Sequence, residues 1–235
     1  ALDLVGVPAA WAAIGGAANA GAGVRIGIID TGIDQNHPGF KDTGFTPPSG
    51  FPAGDTAYTN NKVIVARSYV SMLPSPGQTF SIALPDDFSA RDRQGHGTAI
   101  AMIAAGVQNT GPLGTITGVA PKAFLGNYKI FGSPGVNEFT LFPLWQKALE
   151  DAFTDGMDIV TLSIAEGDPA IVGPIDIGVG VCNDEICDVR SQAVESATKM
   201  GMLVVTAAGN GGDIGSKFPT QNSMNTPGVA PSGVT

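Results

Sequence analysis

Five short apolar runs govern what this chain can fold into: Val24–Ile29, Val63–Val70, Phe124–Phe131, Ile159–Ile164 and Leu203–Ala207. Each is bounded by glycine, proline or polar residues, and none alternates cleanly between apolar and polar. A strand buried on one face alternates with period two, whereas an unbroken apolar run suits a parallel sheet covered on both faces. The segments between the runs supply the covers. In Phe139–Phe153 the residues Phe139, Phe142, Trp145, Leu149 and Phe153 step by three or four and form one helical stripe. A similar stripe between Val189 and Met200 stops at Gly201, a good helix terminator. Val7-Pro8-Ala9-Ala10-Trp11 reads as a further helix. This alternation predicts an α/β chain, a doubly wound and mostly parallel sheet with flanking helices. The proline-rich stretch 39–94 is expected to form surface loops around one strand.

Reactive groups in such sheets collect at the carboxyl ends of the strands. Asp30 ends the first apolar run and is followed by Thr31-Gly32-Ile33-Asp34. His96 lies in Gly95-His96-Gly97-Thr98, at the start of an alanine-rich helix reaching Ala105. Asn210 closes Ala207-Ala208-Gly209-Asn210, just past the last run. A histidine titrates near neutrality and suits a general base. A carboxylate can hold its tautomer, and a carboxamide can donate to a developing oxyanion. Each residue also has a plainer reading. Asp30 can cap the turn after its strand, and Asn210, before Gly211-Gly212, can be a turn residue with positive φ. His96 can simply be satisfied at a helix N-terminus. Asp-Thr-Gly also occurs in aspartic proteases; the copy at Asp30 ends an apolar run, whereas the second, Asp42-Thr43-Gly44, lies in the proline-rich loop stretch. No Gly-x-Gly-x-x-Gly follows the first strand, which argues against a nucleotide-binding domain.

Taken in order, these blocks resemble the subtilisin-like serine proteases, and the resemblance covers nearly the whole chain. It implies that His96 is the base, Asp30 its orienting carboxylate and Asn210 the oxyanion donor. It also implies two edges for a polypeptide substrate. Gly132, Ser133, Pro134 and Gly135 would pair with an extended peptide through the main chain, with Ser163, Ile164 and Ala165 opposite. The family's nucleophilic serine stands in a Gly-Thr-Ser-Met-Ala-type segment that does not occur before Thr235, and Ser216, Ser223 and Ser232 lie in no such segment. Residues 1–235 are therefore expected to be a partial serine endopeptidase domain without the C-terminal strands and serine helix. Such a domain would be inactive alone and prone to self-association through an exposed apolar face. The rival is a non-catalytic pseudo-protease that keeps the cleft as a peptide-binding module.

Several positions depart from the family pattern. Ala165 and Glu166 stand where glycines are usual, and a Glu166 turned into the cleft would favour basic side chains. Ala99 and Met102 replace a histidine and a glycine on the helix after His96, which reads as a change of packing. Gly39, after His37-Pro38, replaces an aspartate that binds calcium in many relatives. No cofactor is required and no metal ligands are assigned, although a structural calcium held by carbonyls and waters stays open.

Charged residues make up 14% of the chain, against about 25% in average globular usage, and the net charge is −9 with no basic patch. Contact with nucleic acid or an anionic membrane is thus not expected, and no apolar run of membrane-spanning length occurs. Cys182 and Cys187 suit a small loop disulfide in a secreted protein, with two unpaired thiols as the alternative. Two cysteines alone make a poor zinc site. Secretion is the expected localisation.

Overall fold

The structure, a computed structural model, describes residues 2–73, 86–112, 114–165, 188–210 and 225–235, and the backbone of 181–182 and 185–186. Its elements run α1 (Val7–Ala13), β1 (Arg25–Asp30), β2 (Ala53–Gly54), β3 (Val63–Ser68), α2 (His96–Ala105), β4 (Asn109–Gly111), β5 (Gly114–Ile116), β6 (Phe124–Lys129), α3 (Phe142–Thr154), β7 (Ile159–Leu162), β8 (Val181–Cys182), β9 (Glu185–Ile186), α4 (Val189–Lys199) and β10 (Leu203–Thr206). Six strands form one sheet in the order β10-β7-β1-β6-β3-β2. Every pairing in it is parallel. The pairs β4–β5 and β8–β9 are small antiparallel ribbons. All five apolar runs became strands of this sheet, and helices cover both its faces. The two-residue β2, hidden among the prolines, extends the sheet by one strand that the sequence did not show.

Side-chain parity sorts the core into two layers. Ile26 and Ile28 of β1 pack with Leu125 and with Ala101, Met102 and Ala105 of α2. Ile29 points the other way, joining Tyr128, Val160, Val204, the α3 residues Leu144 and Trp145, and Val194 of α4. Asp30 shares the parity of Ile26 and Ile28, so its carboxylate emerges on the α2 side. A slip of one residue would turn it into the opposite core.

The α3 stripe needs correction at both ends. The helix starts at Phe142 with Pro143 in its first turn, the position where a missing N–H costs least. Phe139 therefore precedes the helix, although it still packs against the core. The buried face runs through Leu144, Ala148 and Ala152, which leaves Phe153 40% exposed. The outer edge of β10 carries part of the segment 225–235: Thr206 N–H donates to the Val234 carbonyl at 2.8 Å and Val234 N–H to that of Val204 at 2.9 Å. No described helix is long and apolar enough to cross a membrane.

Lys62, just before β3, is fully buried. Its ammonium donates to the carbonyls of Pro121 at 2.9 Å and Ala123 at 2.8 Å and lies 4.4 Å above the Phe45 ring. Burial, aided by the charge of Lys122, pushes its pKa down from 10.5 to about 7. The unfolded chain therefore holds this proton more tightly than the folded one, and the group's contribution to stability rises with pH across that window. Denaturant titrations of wild type and Lys62→Met between pH 6 and 9.5 should show their difference moving in the wild type's favour as pH rises. A difference independent of pH would contradict this account.

Candidate active site

Strand β1 delivers Asp30 to the carboxyl edge of the sheet, and α2 begins at His96. Nδ1 of His96 lies 2.8 Å from Oδ1 of Asp30, and the same oxygen accepts the Thr31 N–H at 2.7 Å. An ionised carboxylate can only accept, so the imidazole proton belongs on Nδ1 and Nε2 is left with a free lone pair. The carboxylate is 0% exposed and the imidazole 49%. A fixed acceptor thus lies below, and a solvent-facing base above.

The glycines of Gly95-His96-Gly97 have separate roles. Gly95 adopts φ 98° to turn the chain into α2. A Cβ on Gly97 would overlap the Gly32 carbonyl and come within 3.1 Å of the Asp30 Cβ. Without it, the first turn of α2 seats directly on the end of β1. Burial raises the Asp30 pKa, while the bonds from His96 and Thr31 pull it down less strongly. Its Oδ2 is buried with no hydrogen-bond partner among the described residues.

Because the strands are parallel, Ser163, Ile164 and Ala165 after β7 and Asn210 after β10 leave the same edge of the sheet as Asp30. Asn210 is exposed and follows Gly209, whose φ is 94°. The loop is braced from behind by Asn225 N–H, which donates to the Ala208 carbonyl at 2.9 Å. The Ser163 hydroxyl lies 3.2 Å from that of Thr161.

The segment Gly132–Gly135 differs from the extended edge that the sequence suggested. Ser133 N–H donates to Asp86 Oδ1 at 2.9 Å, and its carbonyl accepts from both Val136 and Asn137 N–H at 3.0 Å. Pro134 has no N–H, and Gly135 adopts φ 72°. Ser133 thus opens a turn in which its own N–H and carbonyl are both already engaged. Beside it lies a cavity of about 270 Å³ lined by Phe131, Phe139, Trp145, Ile164 and Ala165 among others. Glu166 and Cys187 lie outside the described residues, as does the Cys182 side chain.

The surroundings of Gly39 do not fit a calcium ion. A Cβ on Gly39 would overlap the Met102 sulfur, so the thioether fills this space. Asn109 Nδ2 donates to the Val107 carbonyl at 3.0 Å and sits 3.5 Å from the same sulfur. Nδ1 of His37 accepts the Gly39 N–H at 3.1 Å. A thioether and an amide donor are poor ligands for a hard cation that takes six to eight oxygens. Among the described residues no group of three or more His, Cys, Asp or Glu could hold a metal.

Sequence reasoning passed over three buried polar residues close to the site: Asp92, Asn127 and Lys129. A signal was present. Asn127 and Lys129 interrupt an apolar run two residues apart, which puts both on one face of a strand.

A profile of the Subtilase family matches residues 21–235. The chain is 35% identical over 254 residues to the subtilisin-like protease SBT2.1 of Arabidopsis thaliana, covering 95% of this chain and 27% of that protein. It is 34% identical over 237 residues to SBT2.3 of the same plant, covering 89% and 25%. The chain thus spans about a quarter of the length of these curated relatives. A solved lanthipeptide protease is similar over 92% of this chain and 48% of its own, with a TM-score of 0.53 and 20% identity, a likeness of fold.

The raised pKa of Asp30 makes its charge a liability for folding. The folded form binds this proton more tightly than the unfolded one, so the cost is absent in acid and appears as pH rises past the ordinary carboxylate range. Asp30→Asn should therefore melt above wild type at pH 8, with the gap closing towards pH 3. Each kcal/mol corresponds to about 2–4 °C in a chain of this size. Calorimetry showing Asp30→Asn to be the less stable protein at pH 8 would overturn this.

Proposed function

The chain belongs to the subtilase family, and from that premise we propose that it carries the base, its carboxylate and the oxyanion donor of a serine endopeptidase acting on extended polypeptides. The nucleophilic serine is one that residues 1–235 do not supply. The observation carrying this reading is the 2.8 Å bond from His96 to a fully buried Asp30, with the imidazole open to solvent.

In this mechanism Nε2 of His96 takes the serine hydroxyl proton as the oxygen attacks the scissile carbonyl, while Asp30 holds Nδ1–H and stabilises the imidazolium. The Asn210 amide donates to the oxyanion of the tetrahedral intermediate. The imidazolium then returns its proton to the leaving amine, and water repeats the sequence on the acyl-enzyme. The cavity beside Ile164 and Ala165, with its aromatic lining, suits an apolar side chain of the substrate. Secretion is part of the same proposal and rests on the spacing of Cys182 and Cys187.

The full-length gene product should label with a fluorophosphonate and hydrolyse peptides, and His96→Ala should abolish both. Asn210→Ala should lower kcat by about 10²–10³ with little change in KM, a magnitude borrowed from the oxyanion asparagine of this same family. Peptide binding without labelling would replace the enzyme reading with the pseudo-protease.

A further inference from the structure

We propose that Asp92 is a positioning residue for the Asp30–His96 pair, the keystone of a clamp formed by residues 86–95 that fixes the first turn of α2 against the end of β1. Its activity arm rests on the function proposed above; its geometry does not.

Asp92 is 8% exposed, and both its oxygens are saturated by donors from two different elements. Oδ1 accepts from the Thr31 hydroxyl at 3.0 Å, Gln94 N–H at 2.9 Å and Gly95 N–H at 2.8 Å. Oδ2 accepts from Thr98 N–H at 3.0 Å and the Thr98 hydroxyl at 2.6 Å. Thr31 belongs to the turn leaving β1, whereas Gly95 and Thr98 flank His96. The two hydroxyls stitch the elements together again: Thr31 Oγ1 accepts the Gly97 N–H at 2.9 Å, and Thr98 Oγ1 accepts the Asp34 N–H at 3.0 Å. Thr31 N–H in turn donates to Asp30 Oδ1, the oxygen that meets His96. The catalytic hydrogen bond is thus bracketed on both sides by bonds that converge on one carboxylate.

Helix capping alone does not account for this arrangement. A cap satisfies one or two N–H groups of its own helix, yet Asp92 also holds Thr31, and its loop is docked from below. Asn127 Nδ2 donates to the Ala90 carbonyl at 2.8 Å. Lys129 Nζ donates to the carbonyls of Arg91 at 2.9 Å and Asp87 at 3.3 Å. Lys129 stands opposite Asp30 in the β1–β6 register. A Cβ on Gly32 would come within 2.8 Å of the Ala90 carbonyl and 2.9 Å of Asp92 N, so the loop rests directly on the β1 turn. Burial opposes ionisation of Asp92, but the bonds from Gly95, Thr98 and Gln94 together outweigh it and hold the carboxyl below its usual range.

Only a carboxylate can accept from all five donors. An asparagine offers one acceptor oxygen and turns its NH₂ towards groups that also donate. Asp92→Asn therefore keeps the shape and breaks the polarity. In the full-length gene product it should lower kcat by about 10–100-fold with KM within about twofold, the loss expected for slight misplacement of reacting groups. In protein with ¹⁵N-labelled histidine, the Nδ1–H resonance of His96, assigned by its loss in His96→Ala, should move upfield or broaden away. A folded Asp92→Asn variant with wild-type kcat and an unmoved resonance overturns the proposal. So does a fall in activity that only tracks the folded fraction while the resonance stays in place. If Asp92→Asn does not fold, Thr98→Val removes one donor and is read the same two ways, with Thr98→Ser expected to recover most of the loss. If wild type proves to hydrolyse nothing, the function reading fails, while the resonance in Asp92→Asn still decides the clamp.

Discussion

The first turn of α2 rests on the end of β1 backbone against backbone, with Gly97 at the Gly32 carbonyl. The rest of the reactive edge depends on that contact. It brings an imidazole on one element to a carboxylate on another across 66 positions of sequence. The sheet contributes by parity: β1 turns Asp30 to the side on which α2 lies, because Ile26 and Ile28 already face that helix. A parallel sheet with helices on both faces thus provides a buried acceptor at a strand end and a helix start above it.

The site runs against the stability of the fold around it. Hydrophobic layers on both faces of the sheet hold the molecule together, while Asp30 and Lys129 at the strand ends are buried in surroundings that disfavour their charge. Asp30 keeps one oxygen without a partner among the described residues. Lys129 is held by carbonyls, and burial lowers its pKa even though Asp87, Asp86 and Asp92 oppose the shift. Such groups persist where geometry is worth more than folding free energy.

The fold was legible because a doubly covered parallel sheet leaves an unmistakable trace, apolar runs too long to alternate. The places of Asp30, His96 and Asn210 at the carboxyl edge of the sheet were legible because each stands at the end or start of such an element. What escaped was set by distant partners. Ser133 bonds to Asp86, 47 residues upstream, so nothing local marks the turn from Ser133 to Asn137. Asn127 and Lys129 were absorbed into an apolar run, since their acceptors are loop carbonyls and a sequence does not show where carbonyls point. Strand β2 is too short to have a period, and α3 shifted because Pro143 fits a first turn and not a helix interior.

The sulfur of Met102 occupies the volume that a side chain at position 39 would need, and a Cβ at position 106 would overlap the same sulfur. Set beside the pattern that the family resemblance implies, with an aspartate at the first position and a glycine at the second, the two departures are one exchange. Bulk has moved across a contact from a turn to a helix. The positions therefore hold a single degree of freedom between them. A substitution at either has a meaning only once the occupant of the other is known, and their effects will not add.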